Sequence, residues 1–179
     1  KNCAEYSDIL FASWQIGAIT VPMNAKLHAK EFAYAIEDSG ARICFVTEDL
    51  FEAIQNSIRS LSDPPQIIVV GSEIYAGLLE ANPAELTEVK PDDVAWLFYT
   101  SGTTGRSKGA MLTHRNLLMM ASSYYGDVDN VVATDTLLHC APMSHGSGLY
   151  ILPYVAKGAC QILPRSGGFE PAEFLDLVS

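Results

Sequence analysis

Apolar positions along the first half of the chain follow two alternating rhythms. From Tyr6 to Ile16, the residues Ile9, Leu10, Trp14 and Ile16 fall at helical spacings around Ser13, and Gly17 stops the run. That pattern predicts a helix packed on something apolar. Ala18–Met23 is a short apolar run predicted as a buried strand, with Pro22 near its end, where a missing N–H does least harm. Lys30–Ser39 predicts a second helix, with Phe32, Ala35 and Ile36 on one face and Gly40 at its C-cap. Arg42–Thr47 reads as a strand, Asp49–Ser60 as a helix, Gln66–Val70 as a strand and Ser72–Leu79 as a helix. Strands alternating with helices through right-handed crossovers belong in a parallel sheet. The polar stretch Glu80–Asp93, with Pro83 and Pro91, is expected to cross the surface between two layers. Val94–Tyr99 is then a central strand, apolar enough to be buried on both faces. Beyond it come a helix over Arg115–Tyr125, a strand over Thr136–Ala141 and a helix over Gly148–Val155 that Pro153 should bend or shorten. A strand over Gly158–Leu163 and a helix over Phe169–Ser179, with Pro171 in its first turn, complete the pattern. The fold class is α/β, a layered and mostly parallel sheet flanked by helices.

Composition narrows the classes. A chain of 179 residues, 49% hydrophobic and 18% charged, is about one domain's worth with material for a sizeable core. Its net charge of −10 argues against nucleic acid or an anionic membrane as partner. No apolar run approaches the roughly 18–20 residues of a membrane-spanning helix, and Lys1–Ala4 is no signal peptide. Cys3, Cys44, Cys140 and Cys160 are scattered without zinc spacing. Buried free thiols and a cytoplasmic location are therefore expected.

The chemistry concentrates in Tyr99–Leu117, YTSGTTGRSKGAMLTHRNL. The apolar strand delivers the chain into a loop of hydroxyls and glycines, and Thr113-His114 reads as the start of a helix. Gly102, Gly105 and Gly109 let the backbone turn sharply and bring its N–H groups close to an anion. Thr100, Ser101, Thr103 and Thr104 add hydroxyl donors, and Lys108 adds a mobile cation suited to polyphosphate. Arg106-Ser107 intervene between Gly105 and Lys108, so the spacing is not that of a P-loop, and no G-x-G-x-x-G occurs.

The stretch closely resembles the phosphate-binding loop of the adenylate-forming superfamily, which includes acyl-CoA synthetases, aryl-CoA ligases, luciferases and adenylation domains of peptide synthetases. Tyr99–Gly105, Lys108-Gly109 and Thr113-His114-Arg115-Asn116 fit its signature, and Ser107 stands where the family usually has proline. Earlier in the chain, Gly17-Ala18, Pro22-Met23-Asn24, Glu31 and Ser39-Gly40-Ala41 fall in the family's order. The resemblance implies an acetyl-CoA synthetase-like N-terminal domain, present in part as residues 1–179. It assigns Thr100, Ser101, Gly102, Thr103, Thr104, Gly105 and Lys108 to the β- and γ-phosphates of ATP, with Lys108 catalytic and Thr100 as a further Mg²⁺ contact. CoA is the implied acceptor of the acyl group.

A second constellation is Ala141–Gly148, APMSHGSG. Pro142, His145 and Gly148 match the Pro-x-x-His-x-x-Gly of many acyl-CoA synthetases, whose histidine lines the pocket near the reacting carboxylate. The resemblance thus makes His145 and Gly148 substrate-binding residues. His139 is expected to pack within its strand, His28 to lie on the surface and His114 to close the loop. No acidic residue falls in 141–148, and Asp135 sits at the other end of the strand. A buried ammonium would go unpaired there at a cost of several kcal/mol. The expected substrate is a small-molecule carboxylic acid with an uncharged tail, a fatty acid first.

The family's aromatic-Gly-x-Thr-Glu and Thr-Gly-Asp segments and its lysine-bearing C-terminal lid are not found in these residues. The chain is therefore expected to be an internal piece of a longer AMP-forming acyl-CoA synthetase, inactive alone and weakly self-associating. Three alternatives stay open: an aryl-CoA ligase, an amino-acid adenylation domain, or a non-catalytic phosphate-binding or interaction module on the same scaffold.

Overall fold

The computed structural model describes residues 1–100 and 106–179. Two helices come first, α1 (Glu5–Gln15) and α2 (Ala29–Ser39), followed by strand β1 (Ile43–Val46). A 3-10 turn (Glu48–Leu50) runs into α3 (Phe51–Ile58), then β2 (Gln66–Val69) and α4 (Glu73–Glu80). The second half holds β3 (Val94–Thr100), β4 (Lys108–Thr113) and α5 (His114–Asp127). It ends with β5 (Thr136–Leu138), α6 (Gly146–Leu149), α7 (Ile151–Ala156), β6 (Cys160–Ile162) and α8 (Pro171–Val178).

Among the described residues the strands form three pairs: β1–β2 and β5–β6 parallel, β3–β4 antiparallel. The first two are helix-connected crossovers, as the alternating pattern requires. Two apolar cores result. Phe32 and Ile36 of α2 meet Cys44 and Val46 of β1 and Ile54 and Ile58 of α3. The other core gathers Leu10, Ala95, Trp96, Leu117, Met143 and Ile151, so α1, β3, α5 and the 142–151 turn share one interior.

Three expectations change. The strand expected over Ala18–Met23 shrinks to one bridge: Thr20 N–H donates to Ala95 O, and Leu97 N–H donates to Thr20 O. Ala95 O also accepts from the Thr20 hydroxyl and the Trp14 indole N–H, so this single carbonyl ties α1 and the bridge to β3. Second, β3 is not flanked by parallel strands on both sides: among the described residues its long partner is the antiparallel β4, and its parallel neighbour is the single bridge at Thr20. Third, the helix expected over Gly148–Val155 is two short helices meeting at Tyr150. Pro153 has no N–H to offer Leu149 O, so the ladder cannot run through that point, and Pro153 falls in the first turn of α7 instead.

Residues 81–93 run largely exposed, without helix or strand, past the end of α1. There Thr87 N–H donates to Gln15 O, and Gly17, at φ +72°, turns under the Thr87 side chain. A Cβ on Gly17 would stand 2.9 Å from the Thr87 methyl. Among the described residues the four cysteines are free, but only Cys44 is buried, and Cys160 is exposed. No described helix is long and apolar enough to cross a membrane.

Candidate functional site

Strand β3 organises the site by alternation. Ala95, Leu97 and Tyr99 belong to one face, Trp96, Phe98 and Thr100 to the other. Across the hairpin, Phe98 pairs with Ala110, Tyr99 with Gly109 and Thr100 with Lys108. Residues directly opposite in an antiparallel pair share a face. Thr100 and Lys108 therefore stand side by side on the Phe98 face, both exposed, at the mouth of the loop. Lys108 was expected within a loop that leads straight into a helix. It is instead the first residue of β4, and the helix starts only at His114, after five more strand residues. Ser101, Gly102, Thr103, Thr104 and Gly105, the other phosphate ligands that the resemblance implies, lie outside the described residues.

The opposite face anchors both stems of the loop on one helix. Tyr99 O–H donates to Asp38 Oδ2 at 2.7 Å, and the Tyr99 ring meets Tyr34 edge-on at 6.4 Å. Arg106, just past the loop, places its guanidinium 5.6 Å from the Tyr34 ring centre. Tyr34 and Asp38 lie four apart on α2 and hence on one side of it. Burial, then the neighbouring Asp38 carboxylate, push the Tyr99 phenol well above its ordinary range. Gly109 lies beneath that ring, where a Cβ would come within 3.1 Å of it. At the far end of β4, Thr113 caps α5: its hydroxyl accepts from Asn116 N–H, while Asn116 Oδ1 accepts from Thr113 N–H at 3.0 Å.

His145 is exposed, with its ring edge-on to Phe98 at 4.9 Å between centroids. Phe98 and Thr100 are two residues apart on one strand face, about 7 Å. A carboxylate beside His145 would thus reach the same face of the hairpin as Lys108. Gly148 is buried, and the space of its missing Cβ is filled by the Met143 carbonyl and the Trp96 ring. It lets the 142–148 turn close tightly on β3. Asn2 braces that turn from outside: its amide donates to Ala141 O at 2.9 Å, and its Oδ1 accepts from Met143 N–H at 2.9 Å. Nothing in the local sequence pattern marked Asn2. Asp135 is turned elsewhere: its carboxylate accepts from Val132 N–H at 2.8 Å, and its backbone carbonyl accepts from Cys160 N–H.

His139 is more than a packing residue. It is fully buried, and both ring nitrogens are engaged, Nδ1 with Ser147 Oγ at 2.7 Å and Nε2 with Gln161 Oε1 at 2.9 Å. Burial lowers its pKa from the ordinary 6.5, against a smaller upward pull from Gln161. His28 lies on the surface as expected, and heads α2 with its N–H donating to Glu31.

Among the described residues no group of three His, Cys, Asp or Glu side chains could hold a metal ion. Thr100 contributes one exposed hydroxyl. Mg²⁺ is usually held by one or two carboxylates together with substrate phosphates. Among the described residues, the donor set taken alone does not amount to a Mg²⁺ cage.

The fold superposes on the N-terminal domain of FACL13 from Mycobacterium tuberculosis with a TM-score of 0.85 at 27% identity, over 99% of this chain and 44% of that one. A long-chain-fatty-acid-CoA ligase from Archaeoglobus fulgidus superposes with a TM-score of 0.88 at 27% identity, over 99% of this chain and 36% of that one. The chain belongs to the AMP-binding enzyme family, whose model matches residues 1–179. It is 35% identical to a feruloyl-CoA synthase from Amycolatopsis over 99% of its own length and 34% of that enzyme. It is 32% identical to the long-chain-fatty-acid–CoA ligase FadD13 of Mycobacterium tuberculosis, over 83% of this chain and 30% of that protein. The chain spans about a third of the length of these curated relatives.

Proposed function

We propose that these residues form the phosphate-binding and acid-binding part of an AMP-forming acid–thiol ligase, which joins a carboxylic acid to AMP from ATP and then transfers the acyl group to CoA. One observation carries the reading: Thr100 and Lys108 pair across the hairpin on the face that also holds Phe98 and, against it, His145. A carboxylate oxygen attacking the α-phosphorus breaks the bond to the β-phosphate oxygen and releases pyrophosphate. The Lys108 ammonium meets the negative charge that grows on that leaving group, where a fixed cation lowers the barrier most. Residues 101–105 supply further hydroxyl and N–H donors. Mg²⁺ enters as part of the MgATP substrate, with Thr100 contributing at most one ligand. CoA's thiolate then displaces AMP from the acyl carbonyl.

The substrate is an acid with an uncharged tail, since 141–148 hold no carboxylate and Asp135 is already engaged. A fatty acid is the first assignment. An aryl acid is favoured by one feature, the Phe98 ring beside His145, on which an aromatic tail can stack; one relative is named for ferulate. The test is acid-dependent ATP–pyrophosphate exchange in the full-length protein containing this chain. Lys108→Ala should slow exchange by at least about tenfold with little change in acid KM, and His145→Ala should shift acid KM or chain selectivity. Unchanged exchange in Lys108→Ala overturns the phosphate assignment; equal loss of ATP affinity in His145→Ala without acid removes His145 from the acid pocket.

A further inference from the structure

His139 lies one residue beyond β5, where its N–H donates to Ile162 O at 2.9 Å and extends the ladder with β6. An apolar side chain would fill this site without desolvating a polar group. The imidazole reaches instead to two separate elements, Gln161 on β6 and Ser147 on α6. Gln161 Oε1 only accepts, so Nε2 carries the proton and donates to it. Nδ1 is then bare and accepts from the Ser147 hydroxyl. Each of the three groups fixes the next, and together they join β6 to the turn that carries His145. Ser147 is two residues from His145, and within that turn His145 N–H donates to Pro142 O and Gly148 N–H to His145 O. Asn2 braces the outer side of the same turn. His139 and Ser147 tie its inner side to the sheet.

We propose that His139 is a positioning residue for the acid site: held as the Nε2–H tautomer by Gln161, it grips Ser147 and so keeps the His145 ring against Phe98. The proposal rests on the reading of His145 as an acid-site residue, but it concerns a geometry present without ligand. It predicts an asymmetry between the two nitrogens. His139→Asn puts an amide near the place of Nδ1 and keeps the link to Ser147. His139→Gln reaches toward Gln161 and loses that link.

Histidine-labelled NMR of this chain tests it without any catalytic assay. The expected wild-type result is a protonated Nε2 and a bare Nδ1 at His139, with strong ring-to-ring cross-relaxation between His145 and Phe98, whose centroids are 4.9 Å apart. His139→Asn should retain that signal, whereas His139→Gln and Ser147→Ala should lose at least about four-fifths of it, since it falls with the sixth power of distance. A folded Ser147→Ala variant with the signal intact overturns the proposal. Unfolding of Ser147→Ala, which deletes one oxygen atom, overturns it as well, because the pair would then be a general stability element. Titrating the wild type with decanoate and with 4-hydroxycinnamate separates the two readings. If neither acid moves the His145 resonances while Ser147→Ala does, the positioning role stands and the acid-site assignment falls.

Discussion

Replacing Gly148 with alanine tests whether the turn under His145 is as tightly closed as its geometry implies. A Cβ there would stand 1.8 Å from the Met143 carbonyl oxygen and 2.9 Å from its carbon, with the Trp96 ring at 3.5 Å. An ordinary carbon–oxygen contact is about 3.3 Å, so the carbonyl must retreat by roughly 1.5 Å. It has little room, because Met143 is 1% exposed and Trp96 and Ile151 are fully buried. Overpacking a rigid interior costs about 1–3 kcal/mol, and backbone contacting backbone belongs at the upper end, about 3 kcal/mol. Alanine in a helix recovers about 1 kcal/mol relative to glycine, leaving a net loss of about 2 kcal/mol. For a chain of this size that corresponds to a Tm drop of about 4–8 °C. Gly146→Ala is the matched control: a Cβ there meets nothing within 4 Å, so its Tm should hold or rise. Thermal melts of the two variants beside the parent give the answer. If Gly148→Ala melts with the Gly146→Ala control, the turn is not packed against β3 as described.

Three further outcomes are expected. Asn116→Ala removes one half of the reciprocal cap on α5 and should cost about 1 kcal/mol by denaturant titration, while Thr113→Ala should cost a similar amount. His139 gives stability a sign-defined pH dependence. Its folded pKa lies below the ordinary 6.5, so as pH falls below that value the unfolded chain takes up a proton that the folded chain refuses. Stability is full above pH 6.5 and declines as pH drops toward the folded value, and His139→Asn, with Ser147 and Gln161 unchanged, should flatten that slope in melts from about pH 7 to about pH 5. Finally, this chain alone should give no ATP–pyrophosphate exchange above a Lys108→Ala background with decanoate or 4-hydroxycinnamate.

Where the sequence pattern was decisive, one local cause ruled each element. The α2 helix was legible from Phe32, Ala35 and Ile36 on one face and from Gly40, which takes a φ of +64° at the C-cap. The first parallel pair followed from two apolar runs joined by a helix. What escaped depended on partners distant in sequence. β4 was absorbed into the loop because its side chains are largely exposed, Met111 at 69%, so no buried period announced it. The Ala18–Met23 run has the composition of a strand, but only Thr20 finds ladder partners, on β3 some 75 residues away. Pro153 signalled a disrupted helix, and the break fell at Tyr150 because the missing donor belongs to the bond reaching back to Leu149. For the candidate site, Lys108 and His145 were visible as motif positions, but their shared face follows only from the hairpin register. His139 hid its role because its partners lie 8 and 22 residues further along the chain.

The central claim is that the rim formed by Thr100 and Lys108 holds the phosphates of a nucleotide. Calorimetric titration of this chain with Mg²⁺–pyrophosphate tests it most directly. Lys157→Ala serves as the charge-matched control, since its ammonium sits 4.6 Å from the Tyr125 ring, away from the hairpin. Loss of one charge-assisted contact to phosphate should cost about 1.5–3 kcal/mol. The account therefore predicts that Lys108→Ala weakens pyrophosphate binding by at least about tenfold, while Lys157→Ala binds as the parent does. Equal affinity in all three proteins would contradict it.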